Sequence, residues 1–170
     1  MSIAKGRKQQ VCKKRAGVKF IDFAPFDYQA FTVTAGEIST IPAAITEVFR
    51  YEVKGAQNVF SSEPTVSKEN GTVEYKEGLI AQLSGVSKES FVESGQLVCG
   101  SYLAFVHDFN GKVYVGGLTN GLDVLTAPFS TATMSVLVTA EGMESAYPPL
   151  LSSAAIIALE ALVSVTYVTP

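Results

Sequence analysis

The segment 102–124, YLAFVHDFNGKVYVGGLTNGLDV, constrains the fold more than any other part of the chain. Two apolar runs flank Asn110-Gly111, a dipeptide typical of the two-residue type I′ turn of a β-hairpin, which pairs Val106 with Val115. Both faces of the first strand are largely apolar, whereas a hairpin with one face in water alternates apolar and polar residues. We therefore expect protein to cover both faces, with the chain's own helix or second sheet on one side and a neighbouring molecule on the other.

The remaining periodic segments predict more strands and two helices. Alternating apolar residues predict strands at 47–54, 73–85 and 134–142, and helices are predicted at 87–100 and near 149–163. The first helix has Ser87 as its expected N-cap, and its expected apolar stripe consists of Phe91, Val92, Leu97 and Val98. The second helix is apolar nearly all round and must be buried on most sides or lie at an interface. The predicted fold is mainly β with one or two helices (α+β), an antiparallel β-sandwich or barrel-like sheet flanked by a helix.

The composition indicates that part of the surface is not exposed to water. Of the 170 residues 47% are hydrophobic and 17% are charged, whereas soluble domains average about 25% charged residues. No apolar run reaches the roughly 18 residues of a membrane-spanning helix, so the covering partner is expected to be another protein subunit. The N-terminus lacks the apolar stretch of a secretory signal, so we expect a cytoplasmic chain with reduced cysteines and with Cys99 in a core.

The distribution of charged and polar residues predicts a basic arm, 1–16, and a single β-rich domain, 17–170, with a projecting loop at 61–72. Six of the 13 basic residues lie in the first fifteen positions, with no acidic residue among them. The other 155 positions carry seven basic and sixteen acidic residues, a net charge of −9. The arm is a solvated terminus, a segment that binds nucleic-acid phosphates, or a strap across the acidic body of a neighbouring copy.

No residue pattern indicates an enzyme, a cofactor or a metal site. Asp108 follows His107, the only histidine, but strand neighbours point to opposite faces and cannot form a bonded dyad. We expect His107 at a sheet edge, bonded to a backbone carbonyl. A single histidine and two scattered cysteines cannot form a tetrahedral metal site, and the glycine-rich segments lack phosphate-binding spacing. The close carboxylate pairs are interpreted as solvated faces; they are Glu74 with Glu77, Glu89 with Glu93, and Glu141 with Glu144.

The order strand, helix and hairpin across 73–124, followed by VLVTAEGMESAYPPLL, resembles virion proteins of tailed bacteriophages. The resemblance is to the tail tube group and related ring-forming tail and neck proteins, and it covers about half of the chain. It implies a β-sandwich with one flanking helix, in which the hairpin beside the helix builds a tube wall. It also implies a homo-oligomeric ring, possibly stacked, that contacts other virion proteins and passes DNA without binding it specifically. The expected location is the virion, assembled in the host bacterial cytoplasm, and the family has no catalytic residues.

Subunit contacts are expected from the arm and from the hairpin. The residues predicted for this interface are Lys5, Arg7, Lys8, Lys13, Lys14, Arg15, Val106, Tyr114 and Val115. One alternative is a capsid-associated, neck or head-completion protein of the phage. Another is a non-viral β-sandwich binding module with a ligand site formed by Tyr28, Phe31 and Tyr147, and the least favoured is an enzyme that uses His107.

Overall fold

A computed structural model of the chain describes residues 16–26, 31–53 and 57–164. The described part of the chain is mainly β, with two helices, as the sequence predicts. The strands are β1 (Val18–Pro25), β2 (Val33–Thr34), β3 (Glu37–Ile38), β4 (Phe49–Glu52), β5 (Val59–Ser67), β6 (Thr72–Ser84), β7 (Ser101–Asp108), β8 (Val113–Gly116), β9 (Leu122–Thr126), β10 (Phe129–Ser130), β11 (Ser135–Glu144) and β12 (Leu150–Leu151). The helices are α1 (Lys88–Val98) and α2 (Ser153–Ala161).

One mixed sheet connects all the strands, and β7 lies at its centre. The main path runs β2-β3-β12-β8-β7-β9-β11-β6-β5, while β1 pairs with both β7 and β4 away from this path. All the pairings are antiparallel except that of β12 with β3. Because β5 and β2 end the main path, the long hairpin β5–β6 forms one extremity of the sheet.

The central strand β7 carries a hydrophobic core on each of its faces. Ala104 and Val106 pack on one face with residues of β6, β9 and β11 and with Leu97 of α1. Leu103 and Phe105 pack on the other face with residues of β3, β8, β12 and α2. The expectation that the hairpin is covered on both faces is therefore confirmed. The expectation that a neighbour supplies one cover is wrong, because α2 and the strands around it supply it within this chain.

The β7–β8 turn differs from the predicted two-residue turn by one position. Val106 lies opposite Tyr114, and the backbone N–H of Asp108 donates to the carbonyl of Lys112 at 2.9 Å, which leaves a three-residue loop. The Asp108 carboxylate accepts hydrogen bonds from the backbone N–H groups of Asn110 and Lys112, each at 2.8 Å. Gly111 has a φ of +79°, as such loops require. The aspartate before the Asn-Gly dipeptide thus stabilises the longer turn.

Helix α1 forms where it is predicted but presents a different face to the sheet. Ser87 and Ser90 cap it reciprocally, with the backbone N–H of each residue bonded to the hydroxyl of the other. Of the four residues of the expected apolar stripe only Leu97 is buried, while Phe91, Val92 and Val98 are exposed. The inward stripe is instead Ser90, Glu93, Ser94 and Leu97, and Glu93 accepts a hydrogen bond from the Tyr51 hydroxyl. Cys99, expected in a core, is exposed.

The predicted loop at 61–72 is wrong, because most of it belongs to the β5–β6 hairpin. The two strands pair continuously from Val59 opposite Ile80 to Ser67 opposite Thr72. Pro64 and the polar composition favoured a loop, but β5 is an edge strand, and edge strands tolerate proline. The predicted strand at 73–85 is confirmed as β6. The predicted C-terminal helix is confirmed as α2, which is shorter than 149–163 because Leu150–Leu151 forms a strand.

Candidate functional sites

A network of charged side chains links α2 to the central sheet. Asp22 of β1 lies opposite Arg50 of β4, and its oxygens accept hydrogen bonds from Nε and Nη2 of Arg50 at 2.7 and 2.8 Å. Oδ2 of Asp22 is also 2.8 Å from Nε2 of His107 on β7. Arg50 reaches Glu160 on α2 through Nη1 and Nη2, both at 2.9 Å. The network therefore fastens the helix to three strands of the sheet.

The charges of this network compensate one another. Burial alone raises the pKa of the Asp22 carboxyl, but the hydrogen bonds and charges of Arg50 and His107 outweigh it, so this pKa is lowered. The hydrogen bond to Asp22 raises the pKa of Arg50 further above its ordinary value. The Phe20 ring lies 4.0 Å from the guanidinium carbon of Arg50 and 4.2 Å from the His107 ring, measured from ring centroids. Asp22 is thus a buried carboxylate held ionised by its partners.

His107 does not have the surroundings that the sequence predicted. It lies in the central strand, not at a sheet edge, and it bonds a carboxylate, not a backbone carbonyl. Among the described residues its side chain has no hydroxyl or thiol partner, so the contacts form an ion-paired clamp without a nucleophile. The sequence analysis missed Asp22 and Arg50, although each is a charged residue with an apolar or aromatic residue on either side in its strand.

A second buried charged site contains two carboxylates and, among the residues that the structure describes, no basic side chain. Glu77 of β6 is 1% exposed and Glu144 of β11 is 8% exposed. They are diagonal neighbours across the ladder, where Glu77 lies opposite Gly142 and Glu144 lies opposite Tyr75. Their interpretation as solvated faces is therefore wrong. Glu77 belongs to the same alternating series as the buried Leu79, a signal that the sequence already contained.

The loop between β8 and β9 holds one oxygen of each carboxylate. The Gly117 N–H donates to Oε2 of Glu77 at 2.8 Å. The N–H groups of Thr119 and Asn120 donate to Oε1 of Glu144 at 2.8 and 3.2 Å. Burial raises the pKa of Glu77 to about 7, and the Glu144 charge adds to the rise while the Gly117 hydrogen bond opposes it. Glu77 therefore gains and loses its proton near neutral pH.

These two carboxylates line a cavity of about 390 Å³. The other lining residues are Phe31, Val33, Leu118, Thr119, Ser145, Ala146, Tyr147, Pro148 and Pro149. The structure thus brings together Phe31 and Tyr147, two of the three aromatic residues of the predicted ligand site, and Tyr28 lies outside the described residues. Pro148 also lines a larger groove of about 1230 Å³, which extends to Ala16, Glu52 and Asp108.

The hairpin β5–β6 exposes apolar side chains on both of its faces. Val66 and Val73 lie opposite each other near the tip and are 61% and 46% exposed. Val59 and Ile80 lie opposite each other near the base and are also exposed. Successive side chains of a strand point to opposite faces, and the register of this hairpin is continuous. Val59 and Val66 are seven positions apart, an odd number, so the two pairs lie on opposite faces of the hairpin. The tip extends beyond β11, whose pairing with β6 ends at Tyr75.

The predicted interface residues separate into three groups. Val106 and Val115 are buried within the chain, while Tyr114 is half-buried, and Val106 and Tyr114 both line the larger groove. The six basic arm residues, Lys5, Arg7, Lys8, Lys13, Lys14 and Arg15, lie outside the described residues. Subunit contacts of the arm therefore stay a prediction.

The described part of the chain contains no cluster of three or more histidine, cysteine, aspartate or glutamate side chains that could bind a metal ion. Within the same part, neither helix is long and apolar enough to cross a membrane. Comparison with protein-family models, with curated proteins and with solved structures finds no match to this chain.

Proposed function

We propose that this chain is a structural virion protein that self-assembles into rings or a stacked tube and forms a conduit for DNA. The observation that carries the proposal is the hairpin β5–β6, which exposes an apolar cross-strand pair on each face and ends the sheet with an edge strand. A hairpin that bound one partner would need only one apolar face. Two apolar faces and an open edge suit a subunit that is contacted from more than one side, as in a ring or a stack.

The charge of the body is compatible with a conduit for DNA. The 155 residues after the first fifteen carry sixteen acidic and seven basic residues. A surface of the same sign as the phosphates repels DNA, which allows it to move past without adhering. The resemblance to tail tube proteins agrees with this role, and the two cores on either side of β7 provide a rigid body that can be repeated around a ring.

Assembly is tested by negative-stain electron microscopy and size-exclusion light scattering across a concentration series of the purified full chain. Rings or tubes with a central pore are the expected result. Val66→Glu and Val59→Glu each place a charge on one face of the hairpin, and each is expected to raise the assembly midpoint by at least about tenfold, because burying an unpaired charge is unfavourable. Leu125→Glu on β9 is the matched control, since Leu125 is an exposed apolar strand residue outside the hairpin.

The results separate three cases. Pored assemblies that are lost with Val66→Glu and kept with Leu125→Glu support the proposal and place the contact on the hairpin. Assemblies that survive both hairpin variants show that the hairpin is not the contact. A wild-type chain that stays monomeric at every concentration contradicts self-assembly.

A ligand-binding module is the second candidate function. It is favoured by the cavity that joins Phe31 and Tyr147 to two carboxylates, since ligand sites combine apolar walls with a few polar groups in cavities of about 300–1,000 Å³. This candidate predicts a monomer at every concentration and a melting temperature that rises with a cationic ligand, which thermal melting in the presence of alkylammonium and guanidinium compounds measures.

A further inference from the structure

In the described part of the chain, no lysine, arginine or histidine lines the Glu77–Glu144 cavity. Each carboxylate uses one oxygen to bind backbone N–H groups, and among the described residues Oε1 of Glu77 and Oε2 of Glu144 have no hydrogen-bond partner. Ser62 Oγ is the one fully buried side-chain oxygen without a partner among the described residues, so the second oxygens of Glu77 and Glu144 stay open to the cavity, where a cationic group can pair with them.

The walls of the cavity suit an ammonium or guanidinium group on an alkyl chain. Tyr147 and Phe31 offer aromatic faces that attract cations, and Val33, Leu118 and the two prolines offer apolar contacts for methylene groups. The Tyr147 ring packs edge-on against Tyr75, with 4.7 Å between the ring centroids, which supports its position at the cavity. Lysine and arginine side chains have this combination of an apolar stem and a charged end.

The first fifteen residues are the richest source of such side chains in this protein. They hold six of the 13 basic residues and no acidic residue. Elsewhere, Arg50 is engaged by Asp22 and Glu160, and Lys76 is engaged by Glu141. The groove that adjoins the cavity at Pro148 is lined by two acidic residues, Glu52 and Asp108, and by one basic residue, Lys19, so its described lining keeps a small excess of negative charge beside the cavity.

We infer that the Glu77–Glu144 cavity receives a lysine or arginine side chain from the segment 1–15 of a second copy of this chain. The inference rests on the proposed function, because it requires copies to lie side by side. It specifies one contact of the assembly: the cavity accepts the cation, and the groove accepts the rest of the segment. Ala16, which directly follows this segment in the sequence, lines the groove of its own copy, so the experiment must separate contacts between copies from contacts within one copy.

Disulfide trapping in the full chain makes this separation, because Cys12 lies next to Lys13 and Lys14 in the segment. In a Cys99→Ser background, Ser145→Cys places a thiol on an exposed lining residue of the cavity. A disulfide forms only when the two Cα atoms come within about 7 Å of each other. Oxidation is therefore expected to give covalent dimers and higher multimers on a non-reducing gel. The control is Ser130→Cys, an exposed serine on β10 that does not line the cavity.

The role of the carboxylates is tested in the same background. The double variant Glu77→Gln, Glu144→Gln removes both charges and keeps one acceptor oxygen at each position. It is expected to lower the yield of intermolecular disulfide about tenfold, because a charge-assisted hydrogen bond contributes about 1.5–3 kcal/mol. The matched control is Glu74→Gln with Glu89→Gln, which changes the net charge equally at two exposed positions. The yield is also expected to fall as the salt concentration rises.

Electron microscopy of the same samples separates failure of this inference from failure of the proposed function. Assemblies without an excess of intermolecular disulfide over the Ser130→Cys control overturn the inference and leave the proposed function in place. A disulfide confined to single chains overturns it as well. Intermolecular disulfides that the Glu77→Gln, Glu144→Gln variant does not reduce show that the carboxylates do not recruit the segment. Monomers at every concentration overturn both proposals.

Discussion

Replacing Glu77 by glutamine tests whether a buried carboxylate without a countercharge destabilises the monomer at neutral and alkaline pH. Burial raises the pKa of this carboxyl from its ordinary value of 4.5 to about 7 in the folded chain. Below pH 4.5 the group is protonated in both states. As the pH rises from 4.5 to about 7, the unfolded chain releases the proton while the folded chain keeps it, so the free energy of unfolding falls. Above pH 7 both states are ionised and the loss is complete.

The shift in pKa sets the magnitude of this loss. One pKa unit corresponds to about 1.36 kcal/mol, so the contribution of Glu77 to the free energy of unfolding falls by about 3 kcal/mol between pH 4 and pH 8. A glutamine at this position can still accept the hydrogen bond of the Gly117 N–H, but it does not ionise. The stability of Glu77→Gln relative to the wild type is therefore expected to rise by about 3 kcal/mol across the same range of pH.

Urea unfolding followed by circular dichroism at a series of pH values measures this difference. The samples are kept at concentrations where light scattering shows monomers, because a cation supplied by a second copy would lower the pKa of Glu77. Glu74→Gln is the matched control, since Glu74 lies on the same strand and is exposed. A difference between Glu77→Gln and the wild type that stays constant with pH, or that is equalled by Glu74→Gln, would refute the reasoning.

Two further predictions concern the ion-paired clamp and the loop that holds Glu77. Among the described residues, Arg50→Met leaves the fully buried Asp22 with His107 as its only side-chain partner. The variant is expected to lower the free energy of unfolding by about 3 to 5 kcal/mol in urea titration, and a loss below about 1 kcal/mol would contradict the clamp. Gly117 and Gly111 both have positive φ, but a Cβ at Gly117 would lie 2.8 Å from backbone atoms whereas one at Gly111 meets nothing within 4 Å. Gly111→Ala is therefore expected to lower the free energy of unfolding by about 1 to 2 kcal/mol, and Gly117→Ala is expected to lower it by at least about 2 kcal/mol more. Equal falls in melting temperature for the two variants would contradict the crowding at Gly117.

The elements that the sequence predicts well are those that local patterns determine. The strands β6 and β11 and the N-cap of α1 at Ser87 follow from alternation and from capping chemistry. Apolar residues on both faces of β7 correctly predict two covered faces. They cannot identify the cover, because an apolar strand packs equally well against a neighbouring molecule or against a helix 45 residues further along the same chain, as α2 does here.

The elements that the sequence predicts poorly depend on contacts between distant residues. Asp22 and His107 are 85 positions apart, and no local pattern states that β1 pairs with β7 in the register that joins them. The inward face of α1 makes contacts with distant residues, of Glu93 with Tyr51 of β4 and of Leu97 with the core, and the apolar Phe91, Val92 and Val98 lie outside this face. Glu77 is a different case, since the alternation of β6 already placed it on the buried face. Its charge led to its interpretation as solvated.

Asp22 and Glu77 show two ways in which this chain treats a buried carboxylate. Asp22 receives its countercharge from Arg50 on the adjacent strand, and its pKa is lowered despite burial. Glu77 is buried as deeply, but its partner is a neutral N–H group, so burial raises its pKa and the charge of Glu144 adds to the rise. A buried pair can be completed within the fold, whereas a buried acid without a base destabilises the isolated monomer. If the base arrives from a second copy, the same carboxylate stabilises the assembly, because the cation restores its ionised form. Glu77 would then destabilise the monomer and stabilise the assembly. The Glu77→Gln variant would therefore stabilise the monomer and weaken the assembly.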